Sequence, residues 1–371
     1  MILFIMESDQ VKEHSLFKYV KEEKEADGVA WAYMDQKTFK KYPFKLPDLP
    51  KDQVRIRVVA SGLCLSDLLG IQSGMAPYPC VPGHEICGVI TAVGSEVKDL
   101  KVGDKVGFGP IRDCCLNCEV CDMGRENLCP KRTMFDKYTI FHFGGFSTHT
   151  QQPALWTFKL PDKIPEKYAA SLLCAGITVF APLQRYFKKN NVVGIIGIGG
   201  LGHLGVKFAK KMGNKVIAFS SSLTNEKLYR ELGADEVVAT TDDKMLASFK
   251  DSCDVIINTA PSFGNYQKYL GLMRHCGHFV QVGASHDLTE VVSFSGMHLI
   301  TKEVNIVGSG AGNRQEHRDM LEFAAKHEVY PMIEEFDFDN FDKAVDRLQN
   351  GKPKFRCVVK TGEYSDKMGF K

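Results

Sequence analysis

No stretch of this 371-residue chain approaches the ~18–20 uninterrupted apolar residues that a membrane-spanning helix needs. No membrane partner is therefore expected. Charge of one sign is also missing: 47 Lys and Arg stand against 45 Asp and Glu, a net +2. That balance gives no electrostatic case for nucleic acid or an anionic surface as partner. The start of the chain has neither the basic residues and long apolar core of a secretory signal nor the Arg-rich, acid-poor character of a mitochondrial presequence. Instead MILFIM runs directly into Glu7, Asp9 and the mixed-charge run KEEKEADG at 21–28. A cytoplasmic setting is the expectation, with residues 1–28 as a loosely held extension. Internal repeats and low-complexity tracts are absent as well.

Cysteine, by contrast, is plentiful, with twelve in the chain. In a reduced compartment metal binding explains them better than disulfides do. Cys115, Cys118, Cys121 and Cys129 follow C-x2-C-x2-C-x7-C within RDCCLNCEVCDMGRENLCP. A loop that tight gathers four thiolates around one tetrahedral zinc, with Zn–S bonds near ~2.3 Å, and leaves no open position. Such a site is structural, with Cys115 and not Cys114 as its first ligand. It prompts a search for a second metal site that keeps a position open.

The text has two styles. From about residue 29 to 110 it reads as short strands and glycine turns, including the alternating VRIRVVA at 54–60. After about 180 it alternates strand and helix. VVGIIGI (192–198), KVIAF (215–219), DVIINTA (254–260) and HFVQVG (278–283) read as strands, and LGHLGVKFAKKMG and EKLYRELG as helices between them. That alternation predicts a doubly wound parallel sheet. Beyond about 312, Phe341, Ala344, Val345 and Leu348 line one helix face and FRCVVK reads as a strand. This segment is expected to return and complete the first domain.

Gly197, Gly199 and Gly202, with Gly200 and Leu201 between them, form G-x-G-x-x-G between a strand and a helix. In that setting the backbone can approach a pyrophosphate, and the helix N-terminus faces the phosphates. NAD sites usually place a carboxylate at the end of the second strand to hold the ribose 2′-OH. Here Ser220, Ser221 and Ser222 stand there, with Lys227 as the nearby cation. Hydroxyls tolerate a 2′-phosphate, so NADP(H) is favoured. Ser222 or Thr224 could also cap the following helix.

GLCLSDL, PGHEICGVI, the four-cysteine loop, LLCAGIT and GIGGLGHLG occur in an order that resembles the zinc-dependent medium-chain alcohol dehydrogenases, cinnamyl alcohol dehydrogenase-like branch, over about residues 28–361. The resemblance implies an α/β chain in which a GroES-like β-rich catalytic domain (29–180 and 312–371) is interrupted by a Rossmann NADP-binding domain (181–311). It further implies two zinc ions per chain, NADP(H) and a homodimer. Cys64, His84 and Cys174 would hold the catalytic zinc, with Glu85 as the acidic neighbour able to coordinate transiently. Asp67 would orient His84, Ser66 would hydrogen-bond the substrate oxygen, and Thr178 would lie against the nicotinamide.

The match has one notable departure. Leu69 stands where relatives usually carry a proton-relay histidine, and Leu65 replaces a frequently polar neighbour. The stretch after Cys129 is also shorter than in plant relatives, which leaves Met134 and Phe135 as pocket candidates or ordinary core.

The expected reaction is reversible hydride transfer between nicotinamide and a primary alcohol or aldehyde, aromatic or aliphatic. Two alternatives remain at this level. One is a polyol dehydrogenase of the same superfamily, which Cys174 and the apolar Leu65 and Leu69 argue against. The other is a scaffold or interaction protein that keeps the fold, for which the lost relay histidine is the only support.

Overall fold

A computed structural model of the protein describes residues 17–34, 38–72, 79–134, 143–186, 188–262, 266–285, 290–351 and 353–370. Strands Glu236–Ala239, Lys215–Ser220, Val192–Ile196, Cys253–Asn258, Met273–Gln281 and Asn305–Gly308 lie in that spatial order. Every neighbouring pair in this sheet is parallel. Parallel strands are covered on both faces, which is why Val193, Ile195, Ile196, Ile256 and Ile257 form continuous apolar runs and are all buried. The strand order reverses between Val192–Ile196 and Cys253–Asn258, and a crevice opens beyond the carboxyl ends of strands at such a point.

The second large sheet is built around the strand Gln53–Leu63. It pairs antiparallel with Glu85–Val93, with His149–Pro153 and with the late strand Arg356–Lys360. A strand near the end of the chain thus pairs with one near its start. The helix Phe341–Asn350 seals this return by burying Phe341 and Ala344.

Two local expectations are corrected. Of the stretch 1–28, the described part from Phe17 onward is pinned, not loose. Lys18–Tyr19 pairs with the strand Phe39–Lys45, and the Phe17 ring stacks on Phe143 at 3.9 Å and meets Phe44 at 5.2 Å. The buried Phe17 ring and the main-chain bonds to Phe39–Lys45 fix it together. The helix after the second nucleotide strand runs Glu226–Leu232 and starts at Asn225, so neither Ser222 nor Thr224 caps it. Those two hydroxyls instead bond each other at 3.3 Å.

A π-turn, Leu172–Gly176, runs into the helix Ile177–Tyr186. Between Ser171 and Phe180 only Cys174 and Thr178 are not fully buried. Both therefore look out on the same open side. No helix among the described residues is long and apolar enough to cross a membrane.

Candidate metal centres and nucleotide cradle

Cys64 leaves the end of the strand Gln53–Leu63, His84 immediately precedes Glu85–Val93, and Cys174 sits in the π-turn. Sequence separates them widely, yet ligand atoms of Cys64, His84, Glu85 and Cys174 all lie within 4.8 Å of one another. Tetrahedral zinc with bonds of ~2.0–2.3 Å sets its ligand atoms roughly 3.3–3.8 Å apart. His84 Nε2 lies 3.2 Å from Cys174 Sγ, which fits that scale.

Asp67 is completely buried and fully employed. Its Oδ1 lies 2.7 Å from His84 Nδ1 and accepts the Gly83 N–H, while Oδ2 accepts the Cys64 N–H at 3.0 Å. One carboxylate thus fixes the ring and the backbone of two of the clustered residues, the usual way a ligand histidine is oriented. Ser66 Oγ lies 3.1 Å from Cys64 Sγ. Leu69 is 37% exposed and supplies no polar atom.

A hydrogen bond from the Cys174 thiol is the main reason the Cys64 thiol sits well below its ordinary range. His84 and Arg356 assist this, while burial opposes it. Cys174 is pushed up correspondingly, by Cys64 first and by burial second. Two thiols and an imidazole gathered beside the Arg356 guanidinium are a donor set that suits a divalent cation. Glu85 Oε2 is buried without a partner, an orphan that a metal would satisfy.

Sequence reasoning missed Arg356. It opens the strand Arg356–Lys360 and is buried, and its Nη2 donates to Glu85 Oε1 across 271 positions. A Cβ at Gly200 would stand 3.0 Å from Arg356 Nη1. The guanidinium therefore lies between the metal cluster and the glycine loop. The only sequence signal was a cation at the start of an otherwise apolar run, Cys357–Val359, that Lys360 closes.

In that loop Gly197 has φ +80°, a left-handed turn that only glycine adopts freely, and a Cβ on Gly202 would collide with the Gly197 carbonyl. The helix Gly202–Lys211 begins at Leu201 with no side-chain cap. No side chain competes with a phosphate for this helix end. Ser220 ends its strand nearly buried, Ser221 and Ser222 are exposed in the connection that follows, and Lys227 is exposed in the first turn of the helix Glu226–Leu232.

The other four cysteines form the second cluster. Cys118–Cys121, Cys118–Cys129 and Cys115–Cys129 sulfurs lie 3.6, 3.9 and 3.5 Å apart. Cys114 is buried outside the group. This loop is docked as well as closed. Asn127 donates to Gly310 O, Asn313 donates to Gly124 O, and Arg314 pairs with the buried Glu126 at 3.0 Å. Cys129→Ser should release one zinc equivalent and lower the Tm by about 10 °C while the cluster at Cys64 stays loaded. Zinc analysis with scanning calorimetry checks this, and an unchanged Tm would refute the structural role. Met134 is half-buried and packs against the main core; Phe135 lies outside the described residues.

Residues 50–162 match the Alcohol dehydrogenase GroES-like domain family, and residues 200–326 match the Zinc-binding dehydrogenase family. A cinnamyl alcohol dehydrogenase of Arabidopsis thaliana is 36% identical, covering 91% of this chain and 95% of its own. The solved cinnamyl alcohol dehydrogenase of Sorghum bicolor superposes with a TM-score of 0.83 at 33% identity, over 90% of this chain and 97% of that one. The CAD of Helicobacter pylori complexed with NADP(H) gives 0.79 at 30% identity, over 90% and 98% of the two chains.

Proposed function

Because the chain belongs to the zinc-dependent medium-chain alcohol dehydrogenase family, a family of oxidoreductases acting on small alcohols and aldehydes, we propose that it is an NADP(H)-dependent aldehyde reductase running the reversible reaction at the Cys64–His84–Cys174 cluster. The observation that carries this is Arg356, which spans from Glu85 at that cluster to Gly200 of the glycine loop. One buried side chain thereby joins the place for the metal to the place for the nucleotide.

Zinc, when bound, supplies Lewis-acid polarisation of the substrate oxygen, and NADPH supplies the hydride. Cys64, His84 and Cys174 hold the metal, and Asp67 keeps His84 in its ligating tautomer. Ser66 Oγ, beside Cys64 Sγ, is placed to give the substrate oxygen its proton. Leu69 cannot pass that proton on, so it leaves through water or the nucleotide's hydroxyls. Thr178 shares the open face with Cys174, where it would meet a bound nicotinamide. Cys115, Cys118, Cys121 and Cys129 hold a second, structural zinc.

Residues 29–180 with 312–371 form the catalytic unit in this reading, and 181–311 the nucleotide unit. Ser220, Ser221, Ser222 and Lys227 receive the 2′-phosphate. A homodimer is part of the same reading. The strand Asn305–Gly308 ends its sheet, and Val291, Met297 and Ile300 just before it are 84%, 58% and 74% exposed, an edge that a second copy would cover. All twelve cysteines are free, which supports a reduced, cytoplasmic setting.

Steady-state assays with a panel of aldehydes test the reading. Wild type should prefer NADPH over NADH by at least about tenfold in kcat/KM, and Ser220→Asp should reverse that preference by setting a carboxylate against the 2′-phosphate. Turnover that favours NADH in wild type would refute the assignment of the serines.

A further inference from the structure

The carboxyl ends of the parallel strands form one row at matched register: Phe219, Ile196, Asn258, Gln281 and Gly308. Two polar side chains stand side by side in it, on the far side of Ile196 from Ser220. We propose that Gln281, locked to Asn258 and Tyr266, positions the nicotinamide half of the bound nucleotide. It is a positioning residue and acts through the backbone of the crevice floor. The inference rests on the nucleotide reading above, in which Ser220 marks the adenosine end.

Topology supplies the direction. A dinucleotide lies across the switch point, with its pyrophosphate at the glycine loop that follows Val192–Ile196. With the adenosine ribose at the end of Lys215–Ser220 on one side, the other half extends over Cys253–Asn258 and Met273–Gln281. Thr259, Ala260 and Val282, just past those two strands, are half-buried, as residues that floor an open crevice are.

Both polar atoms of the Gln281 side chain are employed. Its Oε1 accepts from the Tyr266 hydroxyl at 2.6 Å and from Asn258 Nδ2 at 2.7 Å, and its Nε2 donates to Gly283 O at 2.6 Å. Asn258 Oδ1 in turn accepts the Ala260 N–H at 3.2 Å. A carbonyl only accepts and an N–H only donates, so each amide has one possible orientation. Asn258 and Tyr266 are both buried. Apolar side chains would fill this row with no polar group to desolvate, so filling it does not account for three polar ones.

What the network fixes is backbone. The Asn258 carbonyl accepts the N–H groups of both Val282 and Gly283, at 3.0 and 2.9 Å. A Cβ on Gly283 would stand 2.0 Å from Ala260 O, so the two turns touch main chain to main chain. Thr259 Oγ1 donates to Gly197 O at 2.6 Å and carries the connection on to the glycine loop. The loop and both strand ends are thereby held as one piece. Slack at Gln281 would shift the nicotinamide relative to the metal cluster. Hydride transfer tolerates little of that, since a misplacement of ~1 Å can cost about 100-fold.

The test measures nucleotide binding and the hydride step on the zinc-loaded protein. Gln281→Met keeps the length of the side chain and removes its hydrogen bonds. It should weaken NADPH binding by about 5- to 30-fold in calorimetry and leave 2′,5′-ADP, which lacks the nicotinamide half, within about twofold. In turnover, kcat should fall by about tenfold or more, and the isotope effect of deuterium at the transferred position of NADPH should rise. A role in stability alone moves neither the split between the two ligands nor the isotope effect. Tyr266→Phe removes a single bond and should give smaller losses of the same kind, which keeps the test decisive if Gln281→Met does not fold. Equal weakening of both ligands, or unchanged NADPH affinity and isotope effect, would overturn the role of Gln281 and leave the nucleotide reading standing. Wild type that binds neither ligand would refute the nucleotide reading and this inference with it, a failure visible before any substitution is made.

Discussion

Cys64→Ser is expected to cost the protein one of two zinc equivalents and at least about a thousandfold in kcat/KM, on the view that metal polarisation is worth several kcal/mol of transition-state stabilisation. The substitution changes little in volume. It removes the thiolate that Cys174, His84 and Arg356 together hold in its charged form. A serine hydroxyl stays protonated at neutral pH and is a poor zinc ligand. The four-cysteine loop shares none of these atoms, so the variant should keep its other zinc and most of its thermal stability. Elemental analysis and steady-state kinetics on the same preparation check both halves. Undiminished turnover would exclude Cys64 as a ligand. A wild type loaded with two zinc ions but inert toward every alcohol and aldehyde would favour the scaffold reading.

The second large effect concerns stability. Arg356 and Glu85 are 6% and 0% exposed and pair with each other. Removing one member of a buried pair strands the other charge, and such losses run to about 3–5 kcal/mol. Arg356→Leu should therefore unfold at markedly lower urea. The double variant Arg356→Leu with Glu85→Gln should regain most of the loss, because no unpaired charge remains. Urea titrations of wild type, both single variants and the double variant measure the coupling directly. Strictly additive effects would show that the pair does not act as a unit.

The nucleotide loop and the four-cysteine loop were legible in the sequence because each is local. Gly197, Gly199 and Gly202 need only a strand before and a helix after, and the four cysteines close within fifteen residues. The apolar runs of the parallel sheet were legible for the same reason, since burial on both faces leaves its mark along one strand. Cys64, His84 and Cys174 were not legible from spacing and depended on family resemblance. Their meeting is set by a long strand and a π-turn, and neither has a ligand-spacing rule. Arg356 was invisible because its partner is 271 positions away. Phe17 was assigned to a loose extension because one aromatic ring and a two-residue strand anchor it, and neither leaves a periodic pattern.

The placement of Arg356–Lys360 inside the sheet, between Gln53–Leu63 and Ile333–Asp337, bears on how the polypeptide is made. Translation delivers the first partner of that strand early and the strand itself almost last. During the interval, the Ala60–Leu63 end of one edge waits unpaired while the nucleotide unit emerges and folds. The nascent chain is therefore most exposed to mispairing in its oldest part. Metal loading acquires an order as well: Cys115 to Cys129 can close on their ion soon after leaving the ribosome. The cluster at Cys64 is not complete until Arg356 arrives to neutralise Glu85.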